Sequence, residues 1–249
     1  MKKHAVRLDA LLVTRGLAAS RERARALILA GHVRVDGSLV SKAGTPVADS
    51  ADVSLIQADH PYVGRGGVKL AHALEVFGID VAGALVLDVG ASTGGFTDVL
   101  LRRGATRVVA LDVGHGQLDW RLRRDPRVVV LERINARTLT PDQLPEDARL
   151  FDGATMDLSF ISLRQVLPAM PPVLRPGSWL VALVKPQFEA GREEVGKGGL
   201  IRDVAVQARV VEEVSAAADS LGLRRRATAE SPITGTEGNR EFFVHFERG

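Results

Sequence analysis

The chain has 249 residues, of which 45% are hydrophobic and 25% charged, and its formal net charge is +3. These are ordinary values for a globular protein, and the length allows one large or two modest domains. The sequence contains no cysteine, which excludes disulfides, thiolate metal sites and a cysteine nucleophile. It has no apolar run of transmembrane length, and its first four residues lead into an amphipathic pattern rather than a signal peptide. We therefore expect a soluble cytoplasmic protein.

The first 60 residues are basic and carry the pattern of a small α+β domain. Nine lysines or arginines stand against three acidic residues up to Lys42. Leucines at positions 8, 11 and 12 mark one helical face, and Ser20 is the predicted N-cap of a second helix that ends at Gly31. Short strands are predicted at 33–35, around Val47 and at 53–56, with a hairpin turn at Asp36-Gly37. We place this domain at 1–59, a linker at 60–64 and a second domain at 65–249.

A glycine-rich loop follows an apolar run at 85–87. Residues 85–97 read L-V-L-D-V-G-A-S-T-G-G-F-T. The apolar run is typical of a parallel strand buried on both faces, and Gly90, Gly94 and Gly95 permit a tight turn close to a ligand. A helix predicted at 96–103 would direct its free N–H groups toward that ligand. Strand, Asp88, glycine loop and helix together predict a nucleotide-type cofactor site.

The spacing of the glycines selects among cofactors. It does not match the G-x-G-x-x-G of dinucleotide-binding loops, and no G-K-[ST] ending marks a P-loop. An acidic residue such as Asp88 would repel phosphate but suit the cationic amino-acid part of S-adenosylmethionine. Asp112 closes the next apolar run, where it can accept hydrogen bonds from ribose hydroxyls. The sequence favours S-adenosylmethionine; a plain glycine turn in an α/β protein is the alternative for the loop alone.

Strand-like and helix-like segments alternate through the rest of the chain. Strands are predicted at 108–111, 128–131, 154–156, 179–184 and 242–246, and the clearest late helix at 204–221. Alternation of this kind predicts a doubly wound, mainly parallel sheet of the Rossmann-like α/β class. Its ligand should lie beyond the carboxyl ends of the strands.

Four charged residues fall where that geometry would gather them. Asp157 and Lys185 follow the predicted fourth and fifth strands, Lys69 lies near the start of the helix before the glycine loop, and Glu241 opens the last strand. Each of them alone fits an ordinary salt-bridge network. As a set they predict a catalytic cluster. No spacing of His, Asp or Glu suggests a metal site.

The motifs of both domains resemble known families. R-L-D-x-L-L…S-R-x-x-A-x-x-L-I-x-x-G-x-V-x-V-D-G, over residues 6–56, closely resembles the S4 RNA-binding module. The four charged residues occur along the chain in the order Lys69, Asp157, Lys185 and Glu241. This order resembles the tetrad of FtsJ-like ribose 2′-O-methyltransferases. The motifs V-G-R-G-G-V-K-L, D-V-G-H-G-Q-L, D-L-S-F-I-S-L and L-V-K-P-Q-F-E resemble, in order, those of the TlyA family. The resemblance spans essentially the whole chain.

That resemblance implies an S-adenosylmethionine-dependent methyltransferase that acts on a cytidine 2′-hydroxyl of ribosomal RNA. Its partners would be ribosomal RNA or ribosomal subunits. The implied RNA contacts are Arg7, Arg21, Arg25, Arg34 and Arg65. The expected cofactor residues are Asp88, Gly90, Ser92, Gly94, Gly95, Asp112 and Asn135, with Ser159 and Phe160 shaping the pocket.

Two lysines beside two acids suit the activation of a ribose hydroxyl. A lysine acts as a base when partial burial and a second cation favour its neutral form. We expect Lys185 to be the base, Lys69 the neighbouring cation, and Asp157 and Glu241 the groups that orient them. Two alternatives are a cytolysin, because some TlyA proteins carry the name haemolysin, and a ribosome-binding factor without catalysis.

Overall fold

The computed structural model describes residues 5–29, 31–56, 60–235 and 237–249. The chain divides into two compact units, Met1–Pro61 and Tyr62–Gly249. The exact domain limits expected from the sequence, 1–59 and 65–249 with a linker at 60–64, remain a prediction.

Among the described residues of the first unit, two helices accompany two small antiparallel sheets. Its buried core is made by apolar residues of both helices and of the strands, among them Leu8, Leu12, Ile28 and Val33. The Oγ of Ser20 accepts a hydrogen bond from the backbone N–H of Arg23 at 3.1 Å, which confirms the predicted N-cap. The elements are β1 (Ala5–Arg7), α1 (Leu8–Thr14), α2 (Arg21–Leu29), β2 (Val33–Val35), β3 (Ser38–Leu39), β4 (Pro46–Ala48) and β5 (Val53–Leu55).

Strand pairing in this unit follows the turn chemistry of the sequence. β1 pairs with β4, and β2 lies between β3 and β5. Asp36 and Gly37 have φ values of 49° and 79°, the left-handed backbone that a two-residue hairpin turn between β2 and β3 requires. The predicted hairpin is therefore confirmed.

The second unit is a seven-stranded sheet with the order β11-β12-β10-β9-β6-β7-β8. The strands from β10 to β8 are parallel, and β12 is antiparallel to both of its neighbours. This confirms the mainly parallel Rossmann-like α/β fold. The elements are α3 (Gly66–Val76), β6 (Leu85–Val89), α4 (Gly95–Arg102), β7 (Arg107–Asp112), α5 (Trp120–Arg123), β8 (Val128–Glu132), β9 (Phe151–Met156), β10 (Leu174–Val184), α6 (Pro186–Glu189), α7 (Val204–Asp219), β11 (Leu223–Glu230) and β12 (Phe242–Arg248).

Two apolar clusters pack against this sheet. One contains Leu70 and Leu74 of α3 with Val99 and Leu100 of α4, and the other contains α7 residues such as Val210. Strand β6 has β7 on one side and β9 on the other, so the chain runs outward from β6 through β7 and β8 and then crosses to the other side of β6 with β9. A crevice forms beyond the carboxyl end of a strand at such a switch point. The glycine loop therefore opens into that crevice.

Candidate active site

The glycine loop joins β6 to α4 through two positions that only glycine fits. Gly90 has a φ of 84°, and a Cβ atom there would lie 2.5 Å from the carbonyl oxygen of Asp157. Gly94 has a φ of 95°, and a Cβ atom there would overlap Leu122 and Leu118. The loop is thus held between the end of β9 and the segment around α5. This close fit requires the glycines whatever the ligand.

Asp88 lies beneath the loop and not in a cavity. Its two carboxylate oxygens accept hydrogen bonds from Thr97 Oγ1 at 2.6 Å and Thr155 Oγ1 at 2.9 Å, and the residue is fully buried. Both oxygens are thus turned toward hydroxyl groups of the protein, and the carboxylate braces the loop. The expected contact of Asp88 with the cofactor stays a prediction. Gly94 also lines neither of the two cavities described below.

Burial raises the pKa of Asp88 to about 6, although the bonds from Thr97 and Thr155 act in the opposite direction. A raised carboxyl pKa contributes stability below the unfolded pKa, near 3.9, and loses that contribution as the pH rises through about 6. We expect Asp88→Asn to remove this dependence. Between pH 4 and pH 7, the free energy of unfolding of the variant should rise relative to that of the wild type by about 2 kcal/mol. Urea denaturation at both pH values tests this, and parallel curves would contradict it.

One cavity of about 340 Å³ lies beyond β6 and β7. This volume is in the range of small-molecule sites, about 300–1,000 Å³. Asp112 lies at its wall, where its oxygens accept the N–H groups of Ser92 at 2.8 Å and Gly114 at 2.7 Å. Asn135 lies there too, and its Oδ1 caps a short turn by accepting the N–H of Arg137 at 3.0 Å. Apolar walls come from Leu111, Val113, Ile134, Leu158, Ile161 and Val166.

The lining of this first cavity fits S-adenosylmethionine. A carboxylate at the end of the second strand can accept ribose hydroxyls, and the apolar walls can enclose an adenine ring. Gly90 and Ser92 give the cavity a polar end at the glycine loop. Of the expected cofactor residues, it brings together Gly90, Ser92, Asp112 and Asn135. Gly95 lines the neighbouring cavity instead.

The second cavity, of about 230 Å³, contains all four members of the expected tetrad. Strand pairing brings three of them together. Ala182 of β10 pairs with Met156 of β9, and Val184 of β10 pairs with Phe242 of β12. Asp157 directly follows Met156, Lys185 directly follows Val184, and Glu241 directly precedes Phe242. Because β12 is antiparallel, its start meets the ends of the parallel strands. The fourth member, Lys69, comes from α3.

The tetrad forms two ion pairs. Lys69 Nζ lies 2.5 Å from Glu241 Oε2, and both residues are buried. Lys185 Nζ lies 2.6 Å from Asp157 Oδ1 and donates a hydrogen bond to Ser159 Oγ at 3.0 Å. The second pair is the more accessible one, with side chains 11% and 21% exposed. Each ammonium group thus has its own carboxylate, and the Lys185 pair is the one that a substrate can reach more easily.

The two cavities adjoin each other. Gly90, Ser92, Asp157 and Ser159 line both of them. A ligand at the glycine-loop end of the first cavity would therefore lie beside the tetrad. Phe160 extends from the same loop and is 90% exposed, with its ring centroid 5.3 Å from that of Phe188. It lines neither cavity and lies outside the pocket that it was expected to shape.

Glu189 links the segment after β9, which carries Asp157, to the segment after β10, which carries Lys185. Its carboxylate accepts Ser162 Oγ at 2.5 Å and the backbone N–H of Leu163 at 2.6 Å. Arg164 donates to the backbone oxygen of Glu189 at 2.8 Å. Burial raises the pKa of Glu189. Glu189 was not predicted as a site residue from the sequence, although it belongs to the L-V-K-P-Q-F-E motif.

The expected RNA-binding arginines occupy three kinds of position. Arg7, Arg21 and Arg25 surround the carboxylate of Asp9 at 3.0, 3.2 and 3.2 Å, and each of the three side chains is about half exposed. Arg34 donates a hydrogen bond to the carbonyl oxygen of Gly37 at 3.3 Å. Arg65 lines the tetrad cavity. Asp9, which organises the first three, was not singled out from the sequence.

No helix among the described residues is long and apolar enough to span a membrane. No group of three or more His, Asp or Glu side chains in this part of the chain could hold a metal ion.

Comparisons with known proteins agree with this architecture. The family model for FtsJ-like methyltransferases matches residues 62–248, and the S4 domain model matches residues 6–53. A Mycobacterium tuberculosis protein named 16S/23S rRNA (cytidine-2′-O)-methyltransferase TlyA is 50% identical, over 96% of this chain and 88% of that protein. Hemolysin A of Brachyspira hyodysenteriae is 39% identical, over 97% of this chain and 99% of its own length. A solved structure from Streptococcus thermophilus, whose description names a hemolysin, has a TM-score of 0.77 at 42% identity and covers 99% of this chain and 89% of its own.

The fold, the glycine loop and the two adjoining cavities define an S-adenosylmethionine-dependent methyltransferase. The FtsJ-like model covers the whole second unit up to residue 248, and an S4 domain precedes it. The chain belongs to the TlyA family of FtsJ-like methyltransferases.

Proposed function

We propose that this protein methylates the 2′-hydroxyl of a cytidine in ribosomal RNA. The observation that supports this most strongly is the convergence of Lys69, Asp157, Lys185 and Glu241 on one cavity beside a second cavity of cofactor size. The relative from M. tuberculosis is named for the same reaction. A cytoplasmic location accords with a ribosomal substrate.

The cofactor would supply an electrophilic methyl group on a sulfonium centre. Asp112 would hold its ribose, Asn135 and the apolar walls its adenine, and the backbone at Gly90 and Ser92 its amino-acid end. Gly94 and Gly95 act here through the shape of the loop and not as contacts in the same cavity. Asp88 would keep that loop in place from below.

The target ribose would enter the tetrad cavity. Lys185 would accept the proton of the 2′-hydroxyl as the oxygen attacks the methyl group. Lys69, fixed by Glu241, would stabilise the negative charge that develops on that oxygen. Asp157 and Ser159 would orient the Lys185 ammonium after the transfer. Lining up the hydroxyl with the methyl group contributes a further part of the rate.

The S4 domain would provide the affinity for structured RNA. Arg7, Arg21 and Arg25 present three guanidinium groups around one carboxylate, which leaves a local excess of positive charge. Such a group suits phosphate oxygens. Arg34 would add a contact on β2, and Arg65 would lie beside the entering nucleotide.

Ribose methylation mapped on ribosomal RNA tests this function directly. RNA from cells that lack the gene should lose methylation at one or more cytidine 2′ positions. Expression of the wild-type protein should restore it, and expression of Lys185→Ala should not. Unchanged methylation in cells lacking the gene would contradict the proposal. Methylation restored by the variant would instead support a binding factor that acts without its own catalysis.

The haemolysin name belongs to relatives of this chain. No described contact or cavity specifically favours that activity here. Lysis of erythrocytes by the purified protein would be the observation in its favour.

A further inference from the structure

Trp120 is a large aromatic residue on the surface of the catalytic unit. It opens α5 and is 64% exposed. Leu118 and Leu122 on either side of it are buried, and both reach the place where a Cβ atom on Gly94 would be. The segment is therefore anchored to the glycine loop while Trp120 remains in contact with solvent. An exposed indole on an anchored segment indicates a contact surface, since its apolar area is otherwise left in water.

Arg124 lies beside this ring, with its guanidinium carbon 5.3 Å from the ring centroid. The segment 119–127 contains four arginines and two aspartates. Three of those arginines form ion pairs, which join Arg121 to Asp119, Arg123 to Glu132 and Arg127 to Asp125. Arg124 instead contacts the Trp120 ring. Trp120 and Arg124, which we name the Trp120 surface, thus combine an aromatic face with a positive charge.

The segment that carries the Trp120 surface is joined to the wall of the tetrad cavity. The backbone N–H of Asp119 donates to the carbonyl oxygen of Thr93 at 3.1 Å, and Thr93 lines that cavity. An RNA strand whose target ribose enters the cavity therefore has neighbouring nucleotides within reach of α5. Bases of single-stranded RNA stack on exposed aromatic rings, and arginines beside such rings contact the phosphates.

We propose that Trp120 and Arg124 bind an unpaired base and its phosphate next to the target nucleotide. The inference rests on the proposed RNA substrate and adds a second RNA contact, on the catalytic unit itself. The base would stack on the indole face, and the Arg124 guanidinium would contact the adjoining phosphate. The anchoring of α5 on the glycine loop would fix this nucleotide relative to the cavity.

The two tryptophans of the chain allow a direct test. Trp179 packs on Gly153 and is only partly exposed, so Trp179→Phe leaves Trp120 as the single indole. We expect the emission of this variant to fall when a single-stranded cytidine-rich oligonucleotide of about 12 residues saturates it, because a base stacks on the indole. The matched variant Trp120→Phe retains only Trp179, and its emission should stay unchanged. Anisotropy of a labelled oligonucleotide reports binding independently.

Affinity gives the second readout. Trp120→Ala should raise the dissociation constant for the same oligonucleotide by about 5- to 150-fold, the loss of one stacked base. Trp120→Phe should bind within about threefold of wild type, because a smaller ring still stacks. Val204→Ala is the matched control, since Val204 is also an exposed apolar residue, at 62%, and lies on α7.

The outcomes separate this inference from the proposed function. The inference would be overturned, and the function left standing, by two results together. Trp120→Ala would methylate ribosomal RNA and bind the oligonucleotide normally, and the Trp120 emission of Trp179→Phe would not change on binding. Failure of the wild type to bind or methylate any RNA would overturn both. A change of Trp120 emission caused by ribosomal proteins but not by protein-free RNA would assign the surface to a protein partner and overturn the inference.

Discussion

Replacing Lys185 with alanine is expected to lower the rate of methyl transfer by about 10²–10⁴-fold, the usual contribution of a positioned general base. The Nζ atom of Lys185 lies 2.6 Å from Asp157 Oδ1 and borders the cavity that would receive the ribose. Binding of RNA should change little, because the arginines of the S4 domain lie in the other unit. Single-turnover transfer of a radiolabelled methyl group, with RNA affinity measured in parallel, tests both parts.

Two further variants sharpen this test. Lys185→Arg keeps the positive charge but cannot serve as a base at neutral pH, so it should be about as slow as Lys185→Ala. Lys197→Ala removes an exposed lysine that lines neither cavity and should transfer methyl groups at the wild-type rate. An active Lys185→Arg variant would show that the charge, and not proton transfer, is what this position supplies.

Most of the sheet could be predicted because buried parallel strands consist of consecutive apolar residues, which are recognisable in the sequence. β6, β7 and β8 were found in this way, as was the glycine loop between β6 and α4. β11 was missed because it reads L-R-R-R-A-T-A-E and lies at the edge of the sheet, where solvent accepts its polar side chains. Strand signals weaken where one face of a strand is not buried.

The members of the tetrad could be predicted, but their pairing could not. Residue types and strand ends show that Lys69, Asp157, Lys185 and Glu241 approach one edge of the sheet. Which lysine meets which acid depends on β12 running antiparallel beside β10, and this is a property of the whole sheet. Side-chain directions are set in the same way by distant parts of the chain.

Asp88 and Asp9 are two examples of this limit. The spacing identifies Asp88 as the acid before the loop, but Thr155 on β9, 67 residues away, helps to turn its oxygens inward. Helical spacing places Arg21 and Arg25 on one face of α2. It does not reveal that a carboxylate from α1 lies between them and Arg7. Each role depends on a contact between elements that local patterns do not encode.

Asp9 gives the second large expected effect, since Asp9→Asn should weaken RNA binding by at least about tenfold. The carboxylate is covered by the three guanidinium groups, and the variant leaves these cations facing one another without a counter-charge. They should then separate and no longer present a joint phosphate site. Each lost phosphate contact should lower the slope of log affinity against log salt concentration by about 0.7–0.9.

The control variant for this prediction is Asp49→Asn, which raises the net charge by the same amount at an exposed position of the same unit. A gain of positive charge alone would strengthen binding to RNA or leave it unchanged. Weaker binding by Asp9→Asn and not by Asp49→Asn would therefore identify a positioning role. If Asp9→Asn binds as tightly as the control, the three arginines act as independent charges.

The same substitution should change how stability depends on pH. The bonds from Arg7, and then from Arg25 and Arg21, hold the pKa of Asp9 well below its usual range despite its burial. A lowered carboxyl pKa contributes stability above the unfolded value, near 3.9, and the contribution is lost as the pH falls through the lower folded pKa. Wild type should therefore be more stable than Asp9→Asn at pH 7, and the difference should shrink below about pH 4. Urea denaturation of both proteins across this range would show whether the Asp9 carboxylate holds Arg7, Arg21 and Arg25 together through its charge.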